Sequence, residues 1–241
     1  MRDYSSELTN RIKFIQEKLK ESESSGIIFG NSGGKDSALV GILCKKACEN
    51  VLGVIMPCES KRNFGEDMED GLKVAAQYGI DNITVDLTET KRAICSGIEN
   101  VSKISSQAGA NIAPRLRMTT LYAIGQNKNY LVAGTGNKSE AYMGYFTKWG
   151  DGAYDLNPIA DLTVTEIYEF LEFLDAPKNI INKAPSAGLF EGQTDESEMG
   201  VTYKEIDEYI ANGKGNPVSV AKIERAHNRS EHKRRMPETF K

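Results

Sequence analysis

The stretch that decides the fold is Gly26–Val40, GIIFGNSGGKDSALV. An apolar run, a loop with paired glycines and a helix-forming segment follow one another without a gap, which predicts strand, phosphate loop and helix. The loop breaks both familiar phosphate-binding rules. A Walker A sequence would put Gly at position 29 and Ser or Thr at 36, where this chain has Phe29 and Asp36. The dinucleotide pattern G-x-G-x-x-G is absent as well. What remains is chemically coherent. Gly33 and Gly34 let backbone N–H groups turn inward toward an anion, and the following helix presents its positive end. Gly30, Asn31, Ser32, Gly33, Gly34, Lys35, Asp36 and Ser37 therefore form a candidate ATP-phosphate site. Asp36 beside phosphate would repel it unless a cation stood between, so Asp36 reads as a magnesium ligand. Alternatively, Asp36 or Ser37 N-caps the helix; a cap alone does not need the paired glycines.

Outward from the loop, the pattern alternates. VLGVIMP and NITVDL read as further strands, EDMEDGLKVAAQYG as the helix between them and YLVAG as a fourth strand after the helix PRLRMTTLYAIGQNK. Leu8, Ile12, Ile15 and Leu19 mark an amphipathic opening helix over residues 7 to 20. Alternating strands and helices predict an α/β fold: one Rossmann-like parallel sheet with helices on both faces. Residues 135 to 161 lose apolar periodicity and read as a long aromatic-rich loop, as does 183 to 200. Between them TVTEIYEFLEFL carries a capping box, Thr163 with Glu166.

The 241 residues fit one large domain. Lys and Arg number 30 and Asp and Glu 34, a net charge of -4 that gives no global drive toward nucleic acid or anionic membrane. No apolar stretch is long enough to span a bilayer, and the N-terminus has no signal-like apolar segment, so a cytoplasmic protein is expected. Four cysteines form no C-x-x-C pair; Cys44 and Cys48, at i and i+4, read as buried hydrophobes.

SGGKDS after a strand resembles the pyrophosphate loop of ATP pyrophosphatases, a superfamily that includes GMP synthetase, asparagine synthetase, tRNA-thiolating enzymes and NAD synthetase. RLRMTTLY, AGTGNKSEAYMGYFTKWGDGAYDLNPIADL, KAPSAGLFEGQTDESEMGVTYKEID and HKRRMPETF, in order, are similar to ammonia-dependent NAD synthetase over nearly the whole chain. The resemblance implies an adenine nucleotide alpha hydrolase-like fold and one synthetase domain over 1–241 with no glutaminase domain. It implies amidation of deamido-NAD by ammonia through an adenylated carboxylate, with AMP and pyrophosphate released and Mg2+ required. It also implies a homodimer with the substrate site at the interface.

Carried over residue by residue, the resemblance makes Asp36 and Glu140 the metal ligands. Thr135 and Ser186 join the loop as ATP contacts, and Arg115, the first of the pair Arg115 and Arg117, binds deamido-NAD together with Lys148, Asp155, His232 and Lys233. Tyr145 or Phe146 is expected to stack on the nicotinate ring, and Asp151 to orient its loop or the ammonia. One position departs: Val164 stands where the family has a lysine on the ATP phosphates, leaving Lys183 or Lys35 to compensate. His227 matches nothing and is expected to be structural or at the surface. The competing readings are a GMP synthetase-like subunit, which normally brings a glutaminase domain, and a non-catalytic nucleotide-binding protein.

Overall fold

The computed structural model of the chain describes residues 2–59, 65–183 and 194–240. The four apolar runs form β1 (Gly26–Gly30), β2 (Val51–Ile55), β3 (Asp81–Thr84) and β4 (Tyr130–Ala133), all parallel, in the order β3-β2-β1-β4. The chain winds from β1 outward to β3, then returns to place β4 on the other side of β1. That reversal opens a crevice at the carboxyl ends of β1 and β4, where such sheets take their ligands.

Both faces of the sheet are covered because side chains alternate along each strand. Ile27 and Phe29 face one core, built with Ile15 of α1 (Tyr4–Glu21), Leu39, Ile42 and Leu43 of α2 (Lys35–Ala47), and Val74 of α3 (Glu66–Tyr78). Ile28, Leu52, Val54 and Val132 face the second, against Met118 and Leu121 of the helix after β3, which begins at Ile112. The helices between β3 and β4 are α4 (Thr88–Glu99), α5 (Ser106–Ala110) and α6 (Ile112–Lys128). Pro114 sits in the first turn of α6, where its missing N–H is harmless.

The structure corrects the sequence reading in several places. Residues 135 to 161 are not one loop: they hold α7 (Lys138–Met143), closed by a full capping box between Asn137 and Glu140. The stretch after Lys183 contains α10 (Asp195–Met199), N-capped by Thr194. The third strand ends at Thr84; beyond it the Val85 and Leu87 N–H groups still donate to Ile55 and Pro57 carbonyls, so the chain stays beside β2. The box of Thr163 and Glu166 is present and opens α8 (Val164–Phe173). A short helix, α9 (Lys178–Ile181), follows it.

A third cluster, Met143, Val164, Val201, Tyr203, Ile206 and Ile223, packs α7 and α8 against α11 (Tyr203–Asn212) and α12 (Pro217–Arg229). Asp207 fastens the same elements, accepting from Ser139 Oγ and from the backbone and hydroxyl of Thr165. The last helix, α13 (Glu231–Arg234), folds back over α7. No helix among the described residues is long and apolar enough to cross a membrane.

Candidate active site

The loop after β1 is locked before any ligand arrives. The Asn31 amide donates to the Gly71 carbonyl of α3 at 3.0 Å and to Asn82 of β3 at 2.9 Å. Gly33 has φ +70°, and a Cβ there would stand 2.0 Å from the Asp67 carbonyl oxygen. Only glycine satisfies both the backbone angle and the contact. The N-cap of α2 is Gly34, with no side-chain cap bond, so the capping role offered for Asp36 or Ser37 is not what the structure shows. Ser37 Oγ donates to the Gly34 carbonyl at 3.0 Å and lies 3.1 Å from Ser32 Oγ.

Asp36, in the first turn of α2, meets the end of β4 through Asn137. The Asn137 amide donates to Asp36 Oδ1 at 3.0 Å, while its own Oδ1 accepts from the Glu140 N–H at 2.9 Å. The Asn137 backbone N–H donates to Glu140 Oε2 at 3.0 Å, so one asparagine holds both carboxylates, supplied by the helices that follow the two strands flanking the crevice. Burial pushes the Glu140 carboxyl well above the usual range and the Asp36 charge adds to this, with Lys35 opposing. Lys35 itself is buried, donates to Asp36 Oδ2 at 2.8 Å, and sits under the rings of Tyr168 and Tyr203. Burial disfavours its charge, but Asp36 and Glu140 outweigh that and hold the lysine protonated. Among the described residues no group of three or more His, Cys, Asp or Glu is placed to share a metal ion.

Lys35, Asp36 and Glu140 line a cavity of about 760 Å³. Gly30 to Ser32, Gly34 to Ser37, Thr135 and Glu140 form its phosphate-loop end. Tyr145, Asp151, Lys233 and Arg117 also line it. Asp151 accepts from the Thr147 N–H at 3.0 Å; its surface is open to the cavity, yet enclosure by the surrounding walls pushes its carboxyl up, against the pull of Arg117 and Lys233. Lys233 donates to the carbonyls of Gly144 at 2.8 Å and Phe146 at 2.7 Å, tying α13 to the cavity rim.

Other predicted residues lie outside that lining. Arg115 is exposed and donates to the Lys148 carbonyl at 3.3 Å; Lys148 Nζ donates to the His232 carbonyl and lies 5.2 Å from the Trp149 ring centre. Asp155 is tied to the edge of β4 by the Val132 N–H at 2.8 Å and receives the Tyr122 hydroxyl at 3.1 Å. Ser186 falls outside the described residues. His227 stacks on Tyr142 and bonds its carbonyl, a structural role as expected.

Val164 is buried in the third cluster, with its N–H donating to Ser139 Oγ. Of its two possible substitutes, Lys35 is engaged by Asp36, whereas Lys183 reaches the loop itself. Lys183 Nζ donates to the Gly33 carbonyl at 3.3 Å and pairs with Asp67 at 2.9 Å and Asp70 at 2.7 Å. Asn137 is a site residue that the sequence reading did not single out, and Arg117 is one that it left unassigned beside Arg115. For Asn137 the signal is the Asn-x-x-Glu spacing of a capping box. For Arg117 it is helical spacing, three residues after buried Pro114 and four before buried Leu121.

The NAD synthase family model matches residues 7–237. The chain belongs to the NAD synthase family. A curated relative, the NH(3)-dependent NAD(+) synthetase of Carboxydothermus hydrogenoformans, is 50% identical over 230 residues, covering 94% of this chain and 93% of its own. Among solved structures, an NMN synthetase from Francisella tularensis superposes with TM-score 0.94 at 35% identity, over 100% of this chain and 99% of its own. The NH3-dependent NAD synthetase from Campylobacter jejuni gives 0.82 at 32% identity over the full length of both chains. The expected fold, a parallel α/β sheet of the adenine nucleotide alpha hydrolase-like kind, is the observed one.

Proposed function

We infer that this chain is an ammonia-dependent NAD synthetase, an ATP-using ligase that amidates deamido-NAD. The observation that carries this reading is the Asp36–Asn137–Glu140 constellation beside a glycine loop, in a chain that the family matches over residues 7–237. Neither the GMP synthetase-like reading nor the non-catalytic one is favoured by that match.

The reaction joins two anions. A nicotinate carboxylate oxygen attacks the α-phosphorus of ATP and pyrophosphate leaves; ammonia then attacks the acyl carbon and AMP leaves. Gly33 to Ser37 and the N-terminus of α2 hold the phosphates, assisted by Thr135 and, in our proposal, Ser186. Asp36 and Glu140 fit a divalent cation by donor chemistry: two carboxylates, one held by the Asn137 side-chain amide and the other by its backbone N–H, beside a phosphate loop suit a hard ion. Mg2+ held there would neutralise charge on the phosphates. Tyr145 offers a flat face to the nicotinate ring, and Asp151 orients incoming ammonia as a hydrogen-bond acceptor.

Arg115, Lys148, Asp155 and His232 lie beyond one protomer's cavity, and Ile94, Ile98 and Tyr122 expose apolar surface on the helices flanking β3 and β4. That distribution supports a homodimer in which these residues, with Lys233, bind deamido-NAD. Residues 1–241 act in this proposal as one synthetase domain working in the cytoplasm. Incubation with ATP, deamido-NAD, magnesium and ammonium should yield AMP and NAD in equal amounts. AMP without NAD, or neither, refutes the reading, and sedimentation checks the dimer.

The 0.94 superposition on an NMN synthetase favours a second reading, amidation of the mononucleotide to NMN. Nicotinate mononucleotide in the same assay separates the two by relative kcat/KM.

A further inference from the structure

Lys35 places a positive charge against one of the two carboxylates that fit a divalent ion. It stands in the first turn of α2, is 5% exposed, and its Nζ donates to Asp36 Oδ2 at 2.8 Å. The same Nζ lies 5.9 Å from the ring centre of Tyr168 on α8 and 5.5 Å from that of Tyr203 on α11. Both rings are pinned at their hydroxyls: Tyr168 donates to the Lys183 carbonyl at 3.0 Å and Tyr203 to Asp195 Oδ2 at 2.9 Å. Burial, a carboxylate and two rings within cation–π reach thus hold the ammonium in one place. The other oxygen of Asp36, Oδ1, accepts from the Asn137 amide at 3.0 Å. Each oxygen of Asp36 therefore carries a donor already, and the donor on Oδ2 is a full positive charge.

We propose that Lys35 is a resident counter-ion of the metal site, which weakens the hold of Asp36 on a free divalent ion and so makes the metal enter with the nucleotide. Magnesium takes its oxygens at about 2.1 Å, so an ion on Oδ2 would stand within about 5 Å of the Lys35 Nζ. The two cations repel, and in a buried site that repulsion is poorly screened. The pinned rings of Tyr168 and Tyr203 keep the ammonium from turning away. A triphosphate reverses the balance, because its oxygens bring negative charge to both cations at once. The nucleotide-free protein thus neutralises Asp36 from within, and the order of binding follows from the charges. This inference rests on the metal role proposed for Asp36 and Glu140 in the NAD synthetase reading.

The test titrates Mn2+, in place of Mg2+, onto the nucleotide-free protein at one fixed pH and reads bound ion by electron paramagnetic resonance, in the wild type and in Lys35→Gln. The variant should bind the free ion roughly tenfold to a hundredfold more tightly, the scale of one charge-assisted contact. Adding Asp36→Asn to that variant should abolish the gain; a gain that persists overturns the proposal. The ATP analogue α,β-methylene ATP should tighten Mn2+ binding by a larger factor in the wild type than in Lys35→Gln. A merely structural lysine would lower the melting temperature and leave free-ion affinity unchanged or weaker on substitution, which also overturns the proposal. Lys35→Met, neutral and of similar length, carries the test if the Gln variant does not fold. A wild type that binds no Mn2+ even with the analogue overturns the metal role itself. Normal binding with the analogue beside an unchanged free-ion affinity in the variant overturns the Lys35 proposal alone, so the two failures are told apart.

Discussion

Gly33→Ala is the sharpest perturbation of the phosphate loop. The native φ of +70° is left-handed, which costs a residue with a Cβ roughly 1–2 kcal/mol. The added Cβ would also stand 2.0 Å from the Asp67 carbonyl oxygen, whereas real Cβ contacts do not fall below 3.0 Å. The loop or the start of α3 must therefore retreat by at least the difference, 3.0 minus 2.0 Å. Retreat is resisted on both sides, since Asn31 ties the loop to Gly71 and Lys183 ties Asp67 and Asp70 to the Gly33 carbonyl. A misplacement of about 1 Å at a site that works by positioning costs on the order of a hundredfold in rate. We expect kcat/KM for ATP to fall by about that factor, and the melting temperature by about 2–8 °C from the backbone strain. Gly34→Ala is the control for stability: its φ is -95° and the nearest atom to the new Cβ is 3.4 Å away. It should change unfolding free energy by roughly 0.5 kcal/mol or less. Steady-state kinetics and calorimetry decide the matter. Wild-type kcat/KM with an unchanged melting point in Gly33→Ala would refute the claim that the contact with α3 shapes the loop.

Asp36→Asn keeps the size of the side chain but removes the charge beside Glu140, and should lower AMP release about a hundredfold or more; product analysis within threefold of wild type would reject its metal role. Lys183→Ala leaves Asp67 and Asp70 facing the loop without their shared cation. It should raise KM for ATP several-fold and cost roughly 3 kcal/mol in urea unfolding, with Lys183→Arg recovering most of both. Asp161 gives a pH signature: burial pushes its carboxyl up, but Arg11 and Arg2 outweigh this and hold it below the usual range. A depressed folded-state value stabilises above the ordinary carboxylate range and is lost as pH falls through it. Because Asp161 is half exposed, the stake is about 1 kcal/mol. Asp161→Asn should therefore flatten the loss of stability between about pH 5 and pH 3 in urea titrations.

What the sequence disclosed and what it hid follow from the range of the forces involved. GIIFG, VLGVI and YLVA are continuous apolar runs bounded by turn residues, because strands buried on both faces have no polar side to show. The paired glycines were legible since one backbone angle admits no other residue at Gly33. By contrast, α7 is six residues long, too short for periodicity to register, and only its capping box betrays it. Arg115 and Arg117 look interchangeable in the text; which one enters the cavity depends on the rotation of α6, set by Pro114, Met118 and Leu121 packing on the sheet. The contacts of Lys148 with His232 and of Lys233 with Gly144 join segments more than eighty residues apart, and no local pattern encodes them.

The fold-back of α13 has a consequence for how the protein comes into being. Lys233 and Arg234 fasten the chain's final helix to the carbonyls of Ala141, Gly144 and Phe146. During synthesis the sheet and the glycine loop can be in place while the rim is still open, because the residues that close it have not yet left the ribosome. A nascent chain thus acquires its nucleotide-gripping half before the wall that encloses it. ATP chemistry in a half-built cavity would waste the nucleotide on water, and the order of the sequence places the closing contacts after the nucleotide-gripping ones.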